Sequence, residues 1–127
     1  MESTLSEQRR EDAWEALSDA FIDNEVDYEF IARRITGIPT AELKEIFFTE
    51  VAPQCGPNML TTIPPIWAGF DRESLANCIH EMQQKNRESP SARIRHRITV
   101  ALYRRLFRRI WARIELELAR KGELLDA

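Results

Sequence analysis

The sequence predicts an all-α fold, and three observations carry that prediction. Apolar residues recur at the three-to-four spacing of a helix face along most of the 127 residues. The four glycines and six prolines stand at the edges of these periodic runs, where helices start and stop. No stretch alternates apolar and polar residues in the manner of a strand. Ile98-Thr99-Val100 is β-branched, yet it lies inside an arginine-rich helical pattern. A hydrophobic share of 43% excludes a disordered chain, and the scarcity of Gly and Pro excludes a linker or a fibrous protein. The expectation is one domain over residues 1–127, a bundle of about five helices.

The first helix is expected from about Ser6 to Ile22, with Trp14, Leu17 and Phe21 along one face. Asp27 is placed to cap a short second helix, since its carboxylate can accept the free N–H groups of the first turn. Tyr28, Ile31 and Ile35 form that helix's apolar face, and Gly37 is its stop signal. Thr40 is the expected cap of a third helix carrying Leu43, Ile46 and Phe47. Val51-Ala52-Pro53 should end it, because the residue before proline is pushed out of the α region. Residues 53–70 then read as an irregular, proline-rich loop. Leu60, Ile66, Trp67 and Phe70 are its candidate anchors. Asp71 is placed to cap a fourth helix with Leu75, Ile79 and Met82 on one face, dissolving at Gln83. Ser89-Pro90 is a strong start signal, an N-cap serine before proline at the first helical position. It opens a long amphipathic helix over about 90–121 that stops at Gly122. The alternative is two helices broken near Thr99.

The net charge of −3 argues against a dedicated nucleic-acid binder, but it is an average over a segregated chain. Residues 1–50 hold 13 acids and 5 bases, whereas residues 90–127 hold 10 bases and 4 acids. On a helical wheel Tyr103, Leu106, Phe107, Ile110, Trp111 and Ile114 share a face about 140° wide. Arg104, Arg105, Arg108, Arg109 and Arg113 fall opposite. Such an arginine face can stay solvated, pair with the acidic front, or meet phosphates, an acidic protein or a membrane surface. Ile94, Ile98 and Leu116 project onto that same arginine side, so some apolar surface there calls for cover by another helix, a second copy or a partner.

Chemistry-bearing residues are sparse. Cys55 reads as a turn residue and Cys78 as a small buried apolar residue in a helix. Two cysteines make no disulfide framework, and His80 and His96 pair with no second ligand at a zinc spacing. Asp23-x-Glu25-x-Asp27 has the opening rhythm of a calcium loop. Tyr28 at the sixth position and Arg34 at the twelfth remove what such a loop needs. The first residues carry no apolar signal core, and no apolar run approaches the roughly 20 residues of a membrane span. A soluble, cytoplasmic protein without membrane insertion is therefore expected.

Four motifs carry a resemblance. Trp14-x-Ala16-Leu17-Ser18-x-x-Phe21-x-Asp23-x-Glu25-x-Asp27-Tyr28 is followed by Ile31-Ala32-Arg33, by Glu50-Val51-Ala52-Pro53-x-x-Gly56-x-Asn58, and by Trp67-Ala68-Gly69-Phe70. In order and spacing the set resembles an uncharacterised family of short bacterial proteins, over about residues 10–80. The resemblance implies a small bacterial cytosolic protein and brings no activity or cofactor with it. It matches the arginine-rich end less clearly.

The functional expectation is a non-enzymatic interaction protein, in its sharpest form an immunity protein or antitoxin that occludes a toxin. Its candidate contacts are the acidic residues Glu15, Asp19, Asp23, Glu25, Asp27 and Glu29, with Trp67 and Phe70 as apolar anchors. The alternative is a nucleic-acid-binding regulator using Arg104, Arg105, Arg108, Arg109 and Arg113. A homodimer is a further possible association. An enzyme built on Cys55 is the third reading, although no His or Asp partner is evident in sequence. No catalytic residue, metal ligand or cofactor is assigned.

Overall fold

In the computed structural model the chain is described over residues 6–21, 26–60 and 72–126, the side chains of 57–60 and 122–126 aside. The elements are α1 (Glu7–Ser18) with a 3-10 turn at Asp19–Phe21, α2 (Tyr28–Arg34), α3 (Thr40–Ile46), a π-helical turn (Phe47–Val51), α4 (Ala52–Leu60), α5 (Arg72–Glu88), α6 (Pro90–Leu106) and α7 (Arg108–Asp126). No strand occurs among the described residues, and the all-α expectation holds. Since α3, the π turn and α4 run on as one rod, there are six helical rods rather than five.

Most starts follow the sequence. Ser6 Oγ accepts the Arg9 N–H at 3.1 Å, and an Asp27 carboxylate oxygen accepts the Phe30 N–H at 3.0 Å. Ser89 Oγ accepts the Ala92 N–H, with Pro90 opening α6. Gly37 takes a φ of 100°, a left-handed conformation that suits glycine after the end of α2. Thr40 is the exception. Pro39 holds the N-cap position and makes no side-chain cap, and Thr40 is already helical.

The larger corrections concern prolines and glycines that sit inside helices. Val51-Ala52-Pro53 does not end the third helix. The Ala52 N–H bonds the Phe47 carbonyl, an i→i+5 link, so the ladder widens by one residue and restarts. Pro53 then falls in the first turn of α4, where a missing N–H is tolerated. The stretch 53–60, expected to be loop, is therefore helical. Residues 61–70, with Ile66, Trp67 and Phe70, lie outside the described residues, as does Asp71. Likewise α5 does not dissolve at Gln83 but continues to Glu88, and α7 passes Gly122 to Asp126. The long C-terminal helix is interrupted at Phe107, not near Thr99. Phe107 leaves the α region at φ −107° and ψ 19°, while the bonds from its N–H to Tyr103 O and from Trp111 N–H to its own carbonyl persist. An unbroken rod from Pro90 to Asp126 would be roughly 55 Å long, well beyond the ~30 Å of a small domain. The interruption keeps α7 on the bundle, where it packs chiefly on α2, while α6 packs on α4 and α5.

The core is aromatic at its centre. Phe21 stacks on Phe47 at 5.3 Å between centroids and meets Phe107 edge-on at 5.1 Å, and Phe47 lies 5.6 Å from Trp111. The two cysteines exchange their expected places: Cys55 is fully buried in α4, and Cys78 is exposed on α5. Gly56 is required by contact rather than by φ. A Cβ there would stand 2.9 Å from Tyr103 Cε2 and 3.0 Å from Phe107 Cε2, both on buried rings. Gly56→Ala is expected to lower stability by about 1–2 kcal/mol, overpacking outweighing the helix-propensity gain. Urea unfolding with an unchanged m-value checks it.

Candidate functional site

The acidic front is largely consumed inside the molecule. Arg34 Nη2 meets Glu15 at 2.9 Å and Arg34 Nη1 meets Asp19 at 3.1 Å. Arg72 Nη1 lies 2.7 Å from Asp12 and 3.6 Å from Glu15. Burial pushes the Asp19 carboxyl above its ordinary range, against the pull of Arg34. Asp27 is occupied as the cap of α2. Glu29 is held below the usual carboxylate range, first by Lys121 of α7 and then by Arg33. Asp23 and Glu25 lie outside the described residues. The front thus ties α1 to α2 and α5, and α2 to α7, instead of presenting free carboxylates together.

One carboxylate is buried outright. Glu50, in the π turn, accepts from Arg10 Nε at 3.0 Å, from Arg10 Nη2 at 2.6 Å and from the Trp14 indole N–H at 2.7 Å. The Arg10–Glu50 bond in turn raises the guanidinium pKa further. Three charge-assisted bonds leave this group fully engaged in structure. Beside it, the His96 ring of α6 hydrogen-bonds the Thr49 backbone, and burial drives its pKa below 6.5. Thr49 is the residue whose carbonyl loses its α-helical donor to Pro53, so the ring supplies a donor where the proline removes one. Two shallow clefts flank α5. One of ≈ 370 Å³ is lined by Cys78, Lys85, Arg95 and His96, the other of ≈ 500 Å³ by Glu11, Arg72, Asn77 and His80. Cys55 reaches neither lining, and burial pushes its thiol far up, which removes the thiolate that the cysteine mechanism needs.

The basic back is different. Arg104 is engaged, 3.1 Å from Glu45 and over the Phe48 ring at 5.2 Å, and Arg113 lies over Tyr28 at 5.0 Å. Arg105, Arg108 and Arg109 are exposed, and none makes an ion pair among the described residues. Arg95 and Arg97 on α6 are likewise exposed and unpaired among the described residues. Between Pro90 and Arg113 there are eight arginines and no acid. Through them runs an apolar stripe: Ile94 is 58% exposed, Ile98 64%, Leu102 51% and Leu106 50%. The i, i+4 spacing puts these four on the side of α6 turned away from Val100 and Tyr103, which face the core. Leu106, placed on the core face by the wheel, belongs to this outer stripe. Ile94, Ile98 and Leu116 are exposed, in keeping with their projection in the sequence. The stripe was readable as two apolar faces on one helix.

A protein-family profile, the domain of unknown function DUF7079, matches residues 8–117. The chain belongs to this family. The match runs beyond the motifs between 10 and 80 and takes in α6 and most of α7, so the arginine-rich helices are part of the family's domain. No curated protein and no solved structure matches the chain. No helix among the described residues is long and apolar enough to cross a membrane.

Two outcomes follow. Trp14→Phe leaves Glu50 one donor short and is expected to cost about 2–3 kcal/mol. Trp111→Phe should cost about 1 kcal/mol, because the Trp111 indole N–H has no hydrogen-bond partner among the described residues. Urea midpoints of the two variants measured side by side check the order. For His96, the unfolded chain takes up a proton near pH 6.5 while the folded chain resists it. Its contribution is therefore complete above pH 6.5 and is lost as pH falls through that value toward the lower folded one. His96→Gln should flatten stability against pH in that window, and an NMR titration of the folded protein should place the His96 midpoint below 6.5.

Proposed function

We propose that this chain is a non-enzymatic protein-interaction domain that takes an acidic, amphipathic helical segment of a partner along α6 and the start of α7. The exposed stripe Ile94, Ile98, Leu102 and Leu106 carries this reading. Contiguous exposed aliphatic side chains are unusual on a monomer and mark contact surfaces. Covering what remains exposed of the four is worth on the order of 3–6 kcal/mol before the cost of association. The flanking arginines set the partner's chemistry. A helix with apolar residues at i, i+4 and acids beside them meets both the stripe and the unpaired Arg95, Arg97 and Arg105. A second copy of the chain is disfavoured as occupant, because pairing α6 on α6 brings arginine against arginine.

An immunity protein or antitoxin remains the sharpest form of this reading, with the toxin or a helper protein as the acidic partner. The route through the acidic front gains less support, since Glu15, Asp19 and Glu29 are already paired within the chain. The nucleic-acid reading draws support from the unpaired arginines, but four aliphatic side chains along the middle of the face offer phosphates nothing.

The test is capture from a lysate of the producing cells, followed by reconstitution with the purified partner. Ile98→Glu combined with Leu102→Glu should weaken binding by about 100-fold or more, as expected of central apolar contacts, and association should slow with added salt. Loss of binding on Glu15→Gln and Asp19→Asn, with the α6 variant unaffected, would return the function to the acidic front. A salt-dependent gel shift with DNA or RNA at the same face would establish the nucleic-acid alternative instead.

A further inference from the structure

Folding brings together three side chains that sequence spacing keeps apart. Glu7 and Glu11 stand one turn apart on α1, and His80 reaches them from α5. One ligand atom from each lies within 4.8 Å of the other two. His80 Nε2 is 3.3 Å from a Glu7 carboxylate oxygen. In a tetrahedral site with metal–ligand bonds of about 2.0–2.1 Å, ligand atoms stand about 3.4 Å apart, so this pair is already at ligand spacing. Both glutamates end on short, flexible stems, and closing the remaining gap to Glu11 takes only a rotation of its side chain.

The surroundings favour a cation over a simple ion pair. An i, i+4 pair of carboxylates repels itself unless a positive charge lies between them. The neighbouring Arg72 is 3.9 Å from Glu11 but holds Asp12 at 2.7 Å, so it is committed elsewhere. The His80 ring is set edge-on to Trp14 at 5.2 Å between centroids, which orients its Nε2 toward α1. The cleft of ≈ 500 Å³ lined by Glu11, Asn77 and His80 leaves the outer coordination positions open to water or an exogenous ligand. We infer that Glu7, Glu11 and His80 form a divalent transition-metal site, with Zn²⁺ the best match to one imidazole and two carboxylates. Bound there, the ion bridges α1 to α5.

The test uses the full chain and Zn²⁺ alone. Calorimetry should show one site, and His80→Ala should weaken it by at least the roughly 10- to 100-fold that even an outer-shell partner costs. Glu7→Gln should weaken it too, and it leaves every buried contact in place should His80→Ala fold poorly. Zn²⁺ should raise the melting temperature of the wild type and not that of His80→Ala. The chain has two histidines, so paramagnetic Co²⁺ should broaden the His80 resonances and spare those of His96. Absence of binding, affinity unchanged in both variants, or broadening of His96 in place of His80 overturns the site.

Discussion

The π turn at Phe47–Val51 is the constraint on which the rest of the structure depends. A regular helix through this segment could not turn Phe47, Phe48, Glu50 and Val51 all inward, yet all four are buried. The extra residue in the turn makes room for them, and it lets Pro53 follow without ending the rod. The burial of Glu50 is tolerated because Arg10 and Trp14 converge on it from α1. A buried carboxylate with three donors fixes a geometry more than it adds net stability. Here the geometry is the register of α1 against the α3–α4 rod. The aromatic cluster of Phe21, Phe47, Phe107 and Trp111 is assembled on that register, and so is the interruption at Phe107 that turns α7 back onto α2.

The charge segregation in the sequence resolves into two unlike outcomes. On the acidic side, Arg34, Arg72 and Lys121 reach across helix boundaries, so the carboxylates act as ties between α1, α2, α5 and α7. At the surface each tie adds little, but together they set which helix faces which. On the basic side, Arg104 alone among the arginines of α6 reaches an acid, Glu45 of α3. The remainder keep their charge toward solvent. An overall charge of −3 therefore conceals a neutralised acidic face and an unneutralised basic one.

What could be read from the sequence was local. Caps at Ser6, Asp27 and Ser89 use a side-chain oxygen within three residues of its N–H donor, and the left-handed Gly37 is a single-residue signal. The buried faces of α1 and α5 follow from period alone. What could not be read depends on partners distant in the chain. Pro53 and Gly56 look like breakers unless the π turn precedes them and the Tyr103 and Phe107 rings press on α4. Cys55 and Cys78 are of the same residue type, and only packing decides which is buried. The Glu50 cluster joins positions 40 and 36 residues apart, and no spacing rule covers that. Neither does any cover the approach of His80 to Glu7 and Glu11. The outer stripe on α6 was visible because a second apolar face is itself a periodic feature.

That second face also ties stability to association. Val100 and Tyr103 hold α6 to the bundle from one side, and only these two of its residues are fully buried. A seventeen-residue helix with so narrow a core contact and eight arginines following Pro90 in its own sequence and the start of α7 is poorly held by the domain alone. A partner along Ile94, Ile98, Leu102 and Leu106 supplies the missing burial and neutralises the charge in one step. Because such a partner binds the folded helix and not the unfolded one, its binding free energy adds to the stability of α6. The helix that is least anchored within the fold is thus the one with the most to gain from a surface outside it.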